Sequence, residues 1–157
     1  MSSSDSQIIN VLRRKYPARG MVDLGNPADT LLATLLSART RDEQVLKIFP
    51  AFRKKFPDFS RLAQADIRQI ETSISTIGLY KAKAKAIKGL AQKIVKDYHG
   101  RVPKTFEELI SLPGVGRKTA NCVLSYAFGV PAVAVDTHVF RVVRRLGWSK
   151  KSDPEKV

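Results

Sequence analysis

The sequence predicts an all-α protein, and three observations carry that prediction. Apolar residues recur at helical spacing along almost the whole chain. Helix-opening residues (Asn, Thr, Asp) and helix-ending ones (Gly, Pro) punctuate those periodic segments. Only one short apolar run, "AVAV" at 132–135, has the look of a strand. It has no second run to pair with and reads as a buried connection between helices.

Taken in order, Ile8, Ile9, Leu12 and Tyr16 share one face of a first helix, ended by Pro17. Asn26 is placed as the N-cap of a second, with Pro27 at its first position. Leu31, Leu32, Leu35 and Leu36 make that helix largely buried. Thr40 and Glu43 have capping-box spacing and open a third helix through Phe52. Shorter helices fill 60–74. The stretch "GLYKAKAKAIKGLAQKIVKDY" is a long amphipathic helix ended by Gly100. Its Ala84, Ile87, Leu90 and Ile94 face inward and its lysines outward. Thr105 and Glu108 form another capping box, for a short helix carrying Phe106, Leu109 and Ile110. After the turn "LPGVG", a helix runs from Arg117 to Phe128 and is stopped by Gly129 and Pro131. Asp136 is the N-cap of a last helix, Thr137 to Leu146, with Gly147 behind it.

This divides the chain into an N-terminal helix and linker over 1–25, a helical core over 26–148, and the start of a C-terminal helix over 149–157. The core contains a helix-hairpin-helix at 105–128. In the last part Asp153, Pro154 and Glu155 open a helix that has no body. Such an ending is expected of a chain that is truncated or completed by a partner.

Composition narrows the function. The 28 Lys and Arg against 14 Asp and Glu give a formal charge of +14. A field that strong draws polyanions, nucleic acid first among them. The basic residues are spread over several segments, which disfavours a membrane-surface helix. No run of apolar residues is long enough to span a membrane, and "MSSSDSQIIN" has no secretory signal pattern. The single cysteine, Cys122, forms no internal disulfide and fits an intracellular location, cytoplasmic (nucleoid-associated) or nuclear. With only His99 and His138 beside it, no structural zinc site is expected.

The turn "LPGVGRKTA" is where chemistry concentrates. Gly114 and Gly116 lack Cβ atoms and let another backbone come close. The N–H groups that begin the next helix are unpaired and form an anion site. Arg117 and Lys118 oppose the helix dipole there unless an anion is present, and a phosphate backbone suits that place. The bland alternative is a plain αα-hairpin with surface cations. A cation beside Arg117 at a positive helix end is pushed towards its neutral form. A neutral Lys118 amine could attack a sugar C1′ and form a Schiff base. Asp136 could serve the same cleft as acid, base or charge stabiliser. N-capping alone would also explain an Asp at that place.

The segment "LPGVGRKTANCVLSYAFGVPAVAVDTHVFRVVRRLGW" resembles the helix-hairpin-helix, glycine/proline-loop and aspartate core of endonuclease III-type DNA glycosylases. The likeness extends upstream through "LLATLLSARTRDEQV" and "TIGLYKAKAKAI", over about 26–148. It implies a helical glycosylase domain that removes damaged bases, commonly oxidised pyrimidines, from duplex DNA and then cleaves the abasic site by β-elimination. It implies that Lys118 is the Schiff-base lysine and Asp136 the aspartate that activates it and stabilises the cationic sugar. Leu112, Gly114, Val115 and Gly116, with Arg117 and Thr119, match the phosphate-gripping hairpin. Its carbonyls, at 112–116, often hold a monovalent cation in relatives. Leu79 matches a wedge inserted into the vacated stack, against the alternative of an ordinary core leucine beside Gly78. His138 reads as a structural hydrogen-bonding residue. Arg141 braces the site or meets phosphate.

Two departures from the family pattern stand out. Arg39, in "SARTRD", takes the place of a usual glutamine that fills the gap left by the flipped base, while Asp42 keeps its place. Arg39 could still stack or hydrogen-bond there. Close relatives also continue into a helix and a four-cysteine loop that holds a 4Fe–4S cluster, and this sequence has only Cys122. Without those segments Ile8, Ile9 and Leu12 would be left partly exposed or find another partner. The expected partner is double-stranded DNA, bound by a monomer unless another chain supplies the rest. Two alternatives stay open: a non-catalytic helix-hairpin-helix DNA-binding fragment, and a mismatch glycosylase acting on G·T or G·U.

Overall fold

A computed structural model describes residues 3–16 and 26–154. Nine α-helices and no strand are present among them: α1 (Ser3–Lys15), α2 (Pro27–Ser37), α3 (Asp42–Lys55), α4 (Phe59–Gln64), α5 (Ile67–Ser73), α6 (Tyr80–Tyr98), α7 (Phe106–Ile110), α8 (Arg117–Phe128) and α9 (Thr137–Arg145). The all-α expectation holds. Pro17 and Glu155 lie outside the described residues, and 149–154 contain no α-helix.

The long α6 is the centre. α4 and α5 pack on one part of it, and α2 packs on α6, α3 and α8. Leu31, Leu32 and Leu36 from α2 meet Phe52 of α3, Leu62 of α4, Ile70 of α5, and Ile87, Leu90 and Ile94 of α6 in one continuous core. Along the α3 side Phe49 stacks on Phe52 and Phe52 meets Phe56 at a tilt, with ring centres 6.3 and 5.2 Å apart. Arg53 pairs with Asp29 and ties α3 to α2.

Most caps sit where local chemistry places them. Asn26 accepts the Asp29 N–H at 2.8 Å. Thr105 and Glu108 form the reciprocal capping box of α7. Gly129, at φ +66, ends α8. Ile8 and Ile9 are half-buried and Leu12 exposed, and Trp148 Nε1 donates to Asp5 Oδ1 at 2.7 Å, joining the two ends of the described chain.

Three expectations are corrected. Thr40 does not cap α3. Its N-cap residue is Arg41, with no side-chain bond, and the helix continues past Phe52 to Lys55. The Thr40 hydroxyl is taken instead by Lys83 Nζ at 2.6 Å. That same bond breaks the expectation that every α6 lysine faces out, because Lys83 is only 6% exposed. The "AVAV" run is not buried either: Val133 is 65% exposed and its neighbours half-buried. It crosses the surface, with the Val133 side chain turned to solvent.

Candidate active site

The turn between α7 and α8 is closed by the Val115 N–H donating to Leu112 O at 3.1 Å. Leu112 and Val115 send their side chains into the core, so the turn offers a ligand its backbone and not those two side chains. The two glycines serve different ends. Gly114 sits at φ +78, and a Cβ there would come within 2.8 Å of Ala86 Cβ and 3.4 Å of Leu35 Cδ1. Its bareness seats the turn against α6 and α2. A Cβ on Gly116 would meet nothing within 4 Å. That glycine keeps open space in front of α8, whose N-terminus no side chain caps.

Arg117 places its guanidinium 5.0 Å from the centre of the Phe106 ring, folded back over α7. Lys118 is exposed on the first turn of α8, and Thr119 is half-buried. Cys122 follows one turn later on the same face as Lys118 and is buried. Burial pushes the Cys122 thiol up from its ordinary 9.0. The Lys118 charge pulls it down, while the Asp136 and Asp42 charges push it up. One cation and two carboxylates, from the starts of α8, α9 and α3, therefore lie within electrostatic range of one sulfur.

Asp136 caps α9. Its Oδ1 accepts the N–H groups of His138 at 2.9 Å and Val139 at 2.8 Å. Both bonds fall on one oxygen, which leaves Oδ2 for a further partner. Capping and reactivity are thus compatible in the same side chain. Asn121 of α8 donates to Val133 O at 3.1 Å and pins the connection that delivers Asp136. The sequence reading missed that tie, and a polar residue on the helix face that carries Arg117 and Leu124 was the signal for it. Arg141 Nη2 is 2.9 Å from His138 Nδ1. A guanidinium only donates, so Nδ1 accepts. Arg141 also lines a shallow recess on α9 with Phe140, Arg144 and Arg145.

A second group lies on the loops before α3 and α6. Arg39 is exposed at φ +54, and Leu79 is 57% exposed at φ +58, both in the left-handed region that non-glycine residues rarely occupy. Leu79 is therefore not a core leucine. The two loops touch: a Cβ on Gly78 would lie 3.8 Å from Arg39 O and 3.9 Å from Thr40 Oγ1. An apolar tip and a guanidinium bearer thus stand side by side on strained backbone, an arrangement that clusters at functional sites.

Comparison with known proteins gives one consistent result. The family model described as "HhH-GPD superfamily base excision DNA repair protein" matches residues 32–157. The endonuclease III of Synechocystis is 46% identical over 97% of this chain and 70% of its own length. That of Bacillus subtilis is 44% identical over 82% of this chain. This chain spans 58% of that relative's length. A solved non-covalent endonuclease III–DNA complex aligns with a TM-score of 0.88 and 38% identity, over 98% of this chain and 72% of that one.

Proposed function

The chain belongs to the HhH-GPD superfamily of base excision DNA repair proteins, and from that premise we propose that it is a DNA glycosylase with abasic-site lyase activity. Its substrate on this reading is duplex DNA carrying an oxidised pyrimidine, met where DNA is kept, in nucleoid or nucleus. The observation that carries the proposal is that the uncapped N-terminus of α8, which bears Lys118, opens on free space at Gly116 in a chain matched over residues 32–157 by a base excision repair family.

The chemistry follows from Lys118 and Asp136. A duplex phosphate takes the uncapped N-terminus of α8, with the +14 field drawing the strand in. Leu79 enters the stack and Arg39 faces the space the base leaves. The Lys118 amine, its proton passed to solvent, attacks C1′. The C1′–N bond breaks and the base departs with the electron pair and gains a proton. The Asp136 charge stabilises the cationic sugar. The C1′–O4′ bond then breaks as O4′ takes a proton, which opens the sugar to a C1′ iminium; loss of the acidified C2′ proton expels the 3′ phosphate, and water adds at C1′ to release Lys118.

Two further groups enter the comparison with the family. A monovalent cation at 112–116 suits a turn in which the carbonyls of Pro113, Gly114 and Val115 accept no backbone bond among the described residues. A 4Fe–4S cluster needs four thiolates, and this sequence offers one buried cysteine, so these residues do not hold it.

Borohydride trapping tests the proposal. Wild type should form a covalent adduct with abasic duplex DNA, and Lys118→Ala should bind that duplex without being trapped. Binding without trapping by the wild type would end the lyase reading, and binding with neither trapping nor base release would make this a DNA-binding module.

A further inference from the structure

Lys83 is the one lysine whose side chain is buried among the described residues, and the proposed chemistry makes no use of it. Its Nζ donates to Leu36 O at 2.7 Å and to Thr40 Oγ1 at 2.6 Å. Leu36 O is one of the last carbonyls of α2, whose C-terminus no cation in its own last turn balances. An ammonium there meets both an orphan acceptor and the negative end of the helix dipole. Among the described residues no carboxylate pairs with it, and the buried cation is held by two neutral oxygens and a dipole. Burial lowers its pKa. A methionine or leucine would fill the same volume without that cost, so a requirement for this geometry is the better explanation.

The geometry links two loops. The Lys83 N–H donates to Leu79 O at 3.0 Å, fixing the left-handed turn that starts α6. The same residue's side chain grips Leu36 and Thr40, the two sides of the segment that carries Arg39. Thr40 N–H in turn donates to Ser37 O at 2.9 Å. Lys83 therefore fixes Arg39 and Leu79 from a single point behind them.

We propose that Lys83 is a positioning residue that ties the Arg39 loop to the Leu79 turn, so that both enter one duplex in fixed register. This rests on the glycosylase reading for what the loops do, and on geometry alone for the tie. Extraction of a stacked, paired base needs both loops in place. Capture of a sugar that has already lost its base needs them less, since there is no base to unstack.

The test uses Lys83→Met, which keeps the volume, and Thr40→Val, which removes one acceptor and leaves the cation on Leu36 O. Hydrogen exchange at the Thr40 amide should quicken about tenfold or more in Lys83→Met, with the Ala120 amide of α8 unchanged. Excision from a thymine glycol duplex should fall about tenfold in kcat with little change in KM, while borohydride trapping on a preformed abasic duplex stays within about twofold. Thr40→Val should move each readout the same way by less. Unchanged exchange at Thr40 in both variants overturns the tie, whatever the activity. Equal loss of excision and trapping overturns the positioning role and leaves ordinary destabilisation. If wild type neither excises nor traps, the glycosylase reading has failed, and Thr40 exchange still decides the tie.

Discussion

Gly114 and Ala86 stand so close that a methyl group on the first would lie 2.8 Å from the Cβ of the second. The contact joins the hairpin to α6, and the φ of +78 at Gly114 adds a backbone reason against any side chain. Gly114→Ala should cost about 2–4 kcal/mol, the sum of a left-handed alanine and an overpacked contact. Gly116→Ala, with open space around it, should cost about 1 kcal/mol or less through the cap. It should still weaken duplex binding by putting a methyl where a strand approaches. Urea unfolding and a binding titration on the same two variants check both halves; equal stability losses would mean that the glycines share one role.

Asp136 carries a cap and a proposed charge in one side chain, and the two separate by substitution. Asparagine caps as well as aspartate, so Asp136→Asn should unfold within about 0.5 kcal/mol of wild type. Asp136→Ala should lose about 1 kcal/mol with the cap. Both should lose excision by about a hundredfold or more if the carboxylate acts on the reacting sugar. Full activity in Asp136→Asn would reduce this residue to a cap. Single-turnover rates beside melting curves give the answer.

What the sequence made legible divides by range. Asn26, Thr105 and Asp136 cap helices within three residues of themselves, so their roles could be read locally. Thr40 had the same local pattern, but its hydroxyl is claimed by a lysine 43 residues away. Lys83 lay in plain view on the apolar stripe, four residues before Ile87 and seven before Leu90. Its phase on the helix, not its charge, decides where it points. Lys118 and Asp136 stand out by their motif alone, but the Asn121 tie to Val133, which holds the connection before Asp136 against α8, exists only in the folded chain.

Leu79 holds strain and exposure together, which predicts a trade between stability and function. Leu79→Gly removes the left-handed penalty and should leave stability unchanged or raised by up to about 1 kcal/mol, the unfolded chain's extra freedom taking back part of the gain. Leu79→Ala keeps the strain and should show no gain. Both lose the apolar tip, so both should slow excision of a paired base. Excision at the wild-type rate in Leu79→Ala would show that the tip does not enter the stack.

Cys122 offers a reading of the site that needs no DNA. Burial raises its thiol pKa, Lys118 opposes the rise, and Asp136 and Asp42 add to it. The thiol should therefore react slowly with a disulfide reagent near neutral pH. Lys118→Ala should slow that reaction further, and Asp136→Asn should quicken it, each by about two- to threefold for modest charge effects across a partly screened site. The stability consequence has a definite sign. A folded pKa above the unfolded 9.0 means the unfolded chain gives up its proton first. Any stabilisation from the neutral thiol is then complete below pH 9.0 and is lost as pH climbs through the folded value. The stability of wild type relative to Cys122→Ala should thus be flat from pH 7 to about 8.5 and fall beyond it. Thiol rates that ignore both substitutions would remove Lys118 and Asp136 from the same neighbourhood, and with them the pairing on which the proposed chemistry depends.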